Sequence, residues 1–127
     1  MTENEIGTIV VDTALAVHRE LGPGLLESVY EIVLAHELQR RGLRVSRQVP
    51  VSIRYKEMIF DAAFRADLIV EDKVIVELKS VEQVGEAHKK QVQTYLRLRG
   101  SKLGFLLKFG EPLMKRAIVR VVNGLDD

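Results

Sequence analysis

Arg65-Ala-Asp-Leu-Ile-Val-Glu-Asp-Lys-Val-Ile-Val-Glu-Leu-Lys79 is two short apolar runs joined by three charged residues. Ala66, Leu68 and Val70 alternate along the first run, and Val74, Val76 and Leu78 along the second. Alternation with period two is the pattern of a strand with one buried face. A three-residue loop, Glu71-Asp72-Lys73, pairs Val70 with Val74, Leu68 with Val76 and Ala66 with Leu78. A two-residue loop would set apolar side chains against the wrong face, so the longer loop is expected.

That register has a consequence on the opposite face. Asp67 falls across from Glu77 and Arg65 across from Lys79, with Ile69 and Ile75 beside them. An ordinary solvated charge network would place opposite charges on each rung, because like charges directly across destabilise a sheet. Two carboxylates about 5 Å apart repel by roughly 3 kcal/mol at an effective dielectric near 20. A divalent cation held between Asp67 and Glu77 removes the conflict, and all-oxygen ligands favour Mg²⁺ or Mn²⁺. Lys79 lies two residues beyond Glu77 and so shares its face. Its ammonium is placed to stabilise charge on a phosphate. Two acids and a lysine at one end of a hairpin are a minimal set for metal-assisted phosphodiester hydrolysis.

Outward from the hairpin the rest of the chain reads readily. Ile6, Ile9, Val10, Thr13, Ala14, Val17 and Leu21 recur at helical spacing, and Gly22-Pro23-Gly24 stops that helix. In a second helix Leu26, Val29, Tyr30, Val33, Leu34 and Leu38 are expected on one buried face, with Gly42 as its end. The period then changes to two through Val49, Val51, Ile53 and Tyr55, with a turn near Lys56-Glu57 and a strand from Phe60 to Val70. Gly85 to Arg99 reads as a third helix, and Leu103–Phe109 and Ala117–Val122 as two final strands. Helix, helix, three-strand meander, helix, strand, strand predicts an α/β fold with a mixed sheet.

The 127 residues fit a single domain spanning residues 1–127. The absence of cysteine excludes thiol catalysis, Cys-ligated zinc and iron–sulfur chemistry. Acidic residues near the start and the lack of a long apolar run predict a cytoplasmic protein with no membrane partner. Nineteen Lys and Arg against 18 Asp and Glu leave a formal charge of +1, so positive charge for a phosphate partner has to be local. Two groups qualify. Arg40, Arg41, Arg44 and Arg47 follow the second helix, and Lys89, Lys90, Arg97 and Arg99 decorate the third. Both are expected to contact a nucleic-acid backbone; the alternative is a solvated face or a complement to the helix dipole.

Asp67 followed by Glu77-Leu78-Lys79 resembles the bipartite core of the PD-(D/E)XK nuclease superfamily, with Ala66 in place of the proline. Gly24-Leu-Leu-Glu27-Ser-Val-Tyr30 resembles the signature of its GxxExxY branch, and Gln91-Val-Gln-Thr-Tyr95 the Q-x-x-x-Y helix motif of the exonuclease-like branch. The resemblance implies a restriction-endonuclease-like α-β-β-β-α-β core with an extra N-terminal helix. It also implies that Glu27 joins Asp67 and Glu77 around a Mg²⁺ or Mn²⁺ ion, and that Gln91 and Tyr95 line the site near Lys79. From the residues alone, Glu27 is equally a dipole-favoured acid at the third helical position behind a Gly24 cap. Tyr30 reads as a packing residue with a polar tip, and His88 as a donor beside the site. The implied activity is metal-dependent cleavage of DNA or RNA. The alternative is a weakly catalytic or inactive nucleic-acid- or protein-binding module on the same fold. Val119, Val121 and Val122 offer an edge through which a homodimer could form.

Overall fold

A computed structural model describes residues 1–80 and 85–126. Helix α1 (Glu3–Leu21) opens with a capping box: Thr2 accepts from the Glu5 amide, and the Glu5 carboxylate accepts from the Thr2 amide. Helix α2 (Glu27–Arg40) is followed by strands β1 (Val45–Tyr55), β2 (Met58–Val70) and β3 (Val74–Lys79). Helix α3 (Glu86–Arg99) then leads to β4 (Leu103–Lys108), a short 3₁₀ turn at Met114–Arg116, and β5 (Ile118–Val122). The strands lie in the order β1-β2-β3-β4-β5. Neighbours are antiparallel except β3 and β4, which α3 links as a parallel pair.

The sheet is covered on both faces. On one, α1 and α2 bury Ile6, Val10, Tyr30 and Leu34 against Leu68, Val76, Leu78 and Phe105. On the other, Val92 and Leu96 of α3 pack on Ile69, Ile75, Leu106 and Val121. Gly104 lets α3 sit this close: a Cβ there would stand 3.1 Å from both Val92 and Leu96 side chains. β5 is an edge strand, with the Val121 side chain buried under α3 and Val122 exposed.

The hairpin register is the expected one at its closed end, with Val70 across from Val74 and Leu68 across from Val76. The expected Ala66–Leu78 and Arg65–Lys79 pairs do not form; the β2–β3 ladder stops at Leu68. The reason is a reversal of the pleat. On a regular strand residues an even number apart share a face. Leu68 and Val70 pack with α1 and α2, yet Phe64 and Ala66 pack with α3. In β1 the same change separates Val45 from Val49. Between them Gln48 has φ 52, a left-handed conformation that costs a non-glycine residue about 1 kcal/mol. Gln48 sits between the Arg47–Leu68 and Val49–Ala66 pairs, so it faces Asp67. Both strands roll over at this one rung.

Beyond it β1 and β2 continue as a two-stranded arm without β3. The arm ends in the two-residue loop Lys56-Glu57, and Tyr55, Met58, Ile59 and Phe60 at its tip are exposed. The second-helix face also differs from expectation. Tyr30, Glu31, Leu34, Ala35 and Leu38 are its buried residues, whereas Leu26 is 73% exposed and Val29 38%. None of the described helices is long and apolar enough to cross a membrane.

Candidate functional site

Where the β2–β3 ladder stops, two backbone donors turn to side chains. The Asp67 amide donates to Glu77 Oε1 at 3.1 Å, and the Leu78 amide donates to Asp67 Oδ2 at 2.9 Å. These bonds, rather than a continued ladder, bring the two carboxyl groups beside each other. Glu77 is only 5% exposed. Burial, the Asp67 charge and a hydrogen bond shared with Asp67 push the Glu77 carboxyl up to about 9. The raised proton affinity of Glu77 eases the repulsion between the two acids.

The remaining expected site residues gather around this pair. Lys79 ends β3, half-buried, close enough to act electrostatically on Glu27 and Glu77. Glu27, at the N-terminus of α2, has its carboxyl raised by burial; Lys79 and the Ser80 amide oppose that shift, and Asp67 adds to it. Tyr95 of α3 stacks on Phe64 of β2 with ring centroids 3.8 Å apart and planes 3° apart. Burial, then Glu77 and Asp67, raise the Tyr95 hydroxyl, while the Gln91 side chain hydrogen-bonded to it lowers it. Gln91 itself is exposed. His88 is partly buried, and its Nδ1 has no hydrogen-bond partner among the described residues.

Glu27 is the first residue of α2, behind a Leu26 cap that makes no side-chain hydrogen bond, rather than the third residue behind Gly24. Gly24 has φ 107, which only glycine adopts without strain. Tyr30 secures this turn. Its hydroxyl donates to the Gly22 carbonyl at 2.5 Å and accepts from the Leu25 amide at 3.1 Å, and its ring stacks on Phe109. Tyr30→Phe keeps the stack and removes both bonds, so it is expected to lower stability by about 2 kcal/mol in urea denaturation.

Several of the arginines have carboxylate partners within the chain. Arg40 pairs with Glu37 at the far end of α2, roughly 20 Å along the helix from Glu27. Arg41 is exposed beside it. Arg44 binds Glu71 through its amide and Nε, and Arg99 binds Asp72. Glu71 and Asp72 have φ 53 and 57, so these arginines brace the left-handed hairpin turn, about 13 Å along β2 from Asp67. Arg47 is committed to buried Glu31, donating from Nε at 3.1 Å and Nη2 at 2.9 Å. Lys89 and Lys90 do stand exposed within one turn of Gln91, at the site end of α3.

Glu31 and Gln48 were not legible as site residues. Gln48 Nε2 donates to Glu31 Oε1 at 2.5 Å and to Asp67 Oδ1 at 3.3 Å. The available signal was an acid at position 31 on the stripe of Ala35 and Leu38, where a charge has to have a partner.

The donor set fits a hard divalent ion at Asp67 and Glu77: oxygen ligands only, on two adjacent carboxyl groups. Glu27 comes within electrostatic range of that pair without joining it. Among the described residues no three Asp, Glu, His or Cys side chains form a ready-made metal cluster.

Comparison with known proteins bears on the family and the fold. The profile of a family described as the PD-(D/E)XK nuclease superfamily matches residues 4–121. A solved structure titled "Crystal structure of SSO0001" superposes with a TM-score of 0.56 at 21% identity, covering 92% of this chain and 67% of that one. No curated protein matches the chain. The mixed sheet, its flanking helices and the N-terminal helix are consistent with a restriction-endonuclease-like fold.

Proposed function

The chain belongs to the PD-(D/E)XK nuclease superfamily, and from that premise we propose that it is a metal-dependent nuclease of the GxxExxY branch. The observation that carries this is the Asp67–Glu77 pair, with Glu77 buried, each carboxyl held by a backbone amide of the facing strand, beside the half-buried Lys79. Asp67 and Glu77 hold Mg²⁺ or Mn²⁺, with Glu27 completing the site from α2. When bound, such an ion polarises a phosphate oxygen and makes water a nucleophile at neutral pH. Lys79 offers its ammonium to the charge that grows on the phosphate. Tyr95, kept in its protonated form by burial and the two acids, and Gln91 beside it donate to the substrate from α3. Lys89 and Lys90 meet the backbone of the DNA or RNA that enters there. Role for role, the branch signature has support here: Gly24 permits the turn, Tyr30 fixes it and Glu27 faces the acids.

The test is cleavage of DNA and RNA by the purified protein with and without Mg²⁺ or Mn²⁺, alongside calorimetric titration with the metal. Cleavage that disappears with chelator is expected. No cleavage of any nucleic acid together with no heat of metal binding sinks the proposal.

A second function, partner binding on the same fold, is favoured by the arm. An exposed cluster of Tyr55, Met58, Ile59 and Phe60 on a projecting hairpin is the kind of patch that marks an interaction site. A pure binding module needs no metal. Asp67→Asn would then raise stability and leave binding unchanged.

A further inference from the structure

Glu31 is 5% exposed, yet nothing in the packing of α2 calls for an acid there. A buried carboxylate persists only where its oxygens are satisfied. Arg47 takes Oε2 with two donors, and Oε1 is left for the Gln48 amide at 2.5 Å. Gln48 reaches it from a left-handed backbone, in strand β1, at the rung where the pleat reverses. A primary amide has two N–H groups on one nitrogen. One goes to Glu31, and the other points to Asp67 Oδ1 at 3.3 Å. Because both acceptors are carboxyl oxygens, the amide can be oriented in only one way: nitrogen toward them, oxygen away. Asp67 Oδ2 meanwhile accepts from Leu78 on the opposite strand. The Asp67 carboxyl is gripped from both sides, and its rotation is fixed.

We propose that Gln48, anchored by buried Glu31, is a positioning residue that sets the Asp67 carboxyl in the orientation in which it binds a divalent cation. The affinity half of this inference rests on the metal-dependent function proposed above; the orientation half does not. Losing an outer partner of a metal-ligating group typically weakens metal binding 10–100-fold.

Gln48→Gly is the discriminating variant. Glycine adopts φ 52 without strain, so the backbone is eased while the side chain with its amide is removed. Two measurements are made on parent and variant: calorimetric titration with Mn²⁺ alone, and amide hydrogen exchange without metal. Mn²⁺ affinity is expected to fall about tenfold or more. The Leu78 amide is expected to exchange faster as Asp67 loosens, while amides of α1 keep their protection. Parent-like Mn²⁺ affinity with parent-like Leu78 exchange overturns the proposal. So does faster exchange spread evenly over the chain, which is the mark of a merely structural role. If the parent takes up no Mn²⁺, the metal-dependent function falls, and Leu78 exchange alone decides whether Gln48 positions Asp67.

Discussion

Glu77→Ala and Lys79→Ala should each remove the Mg²⁺-dependent cleavage of the parent, by roughly 10²–10³-fold or more in rate. The two losses have different causes and separate experimentally. Glu77→Ala deletes half of the carboxyl pair, so calorimetry should show metal affinity lost together with activity. Lys79→Ala leaves both acids in place and removes only the cation aimed at the phosphate. Metal binding should therefore persist while turnover falls. Arg44→Ala is the control: its side chain binds Glu71 at the hairpin turn, away from the acids, so cleavage should change little. Full activity in Glu77→Ala would rule out the assigned site. Full activity in Lys79→Ala would rule out the ammonium alone.

Glu77→Gln should make the metal-free protein more stable at neutral and alkaline pH. Unfolded, the Glu77 carboxyl titrates near 4.5; folded, burial and Asp67 push it up to about 9. Between those values the folded chain keeps a proton that the unfolded chain releases. Stability is therefore fully present below pH 4.5 and declines as pH rises toward 9. By pH 7 the decline is on the order of 3 kcal/mol at most. A glutamine amide at this position donates to Asp67 as the protonated acid does, and does not titrate. The stability curves of the parent and of the Glu77→Gln variant should converge near pH 4.5 and separate above it. Excess Mn²⁺ should restore the parent at neutral pH and leave the variant unmoved, since binding to the folded form alone stabilises it. Parallel urea midpoints for the two proteins from about pH 4 to pH 9 would show that the pair holds no proton.

The hairpin was legible because its closed end obeys local rules. Val70, Leu68, Val74 and Val76 alternate cleanly, and the length of the Glu71-Asp72-Lys73 loop selects the register that brings Asp67 to Glu77. Helix boundaries at Leu21 and Arg99 were legible for a similar reason: Gly22 and Gly100, at φ 68 and 75, end helices by chemistry that no distant contact has to supply. The buried face of α2 was less legible. Leu26 and Val29 are as apolar as the residues beneath them, and nothing local says that Glu31 lies under β1 while they do not.

The order of elements, the mixed sheet and the register of the closed end of the hairpin were determined by sequence alone, because alternation, turn length and strand period are short-range properties. Tertiary structure decided the rest. Gln48 takes a left-handed conformation that no glycine announces, and the pleat rolls over there, so Ala66 faces α3 and the ladder ends at the acids. Arg44 and Arg47, which read as phosphate contacts, are held by Glu71 and Glu31, 27 and 16 residues away in the chain. Charge is short-ranged in sequence only when its partner is; Arg47 acquired its partner when the sheet folded against α2, and Arg44 when β1 paired with β2.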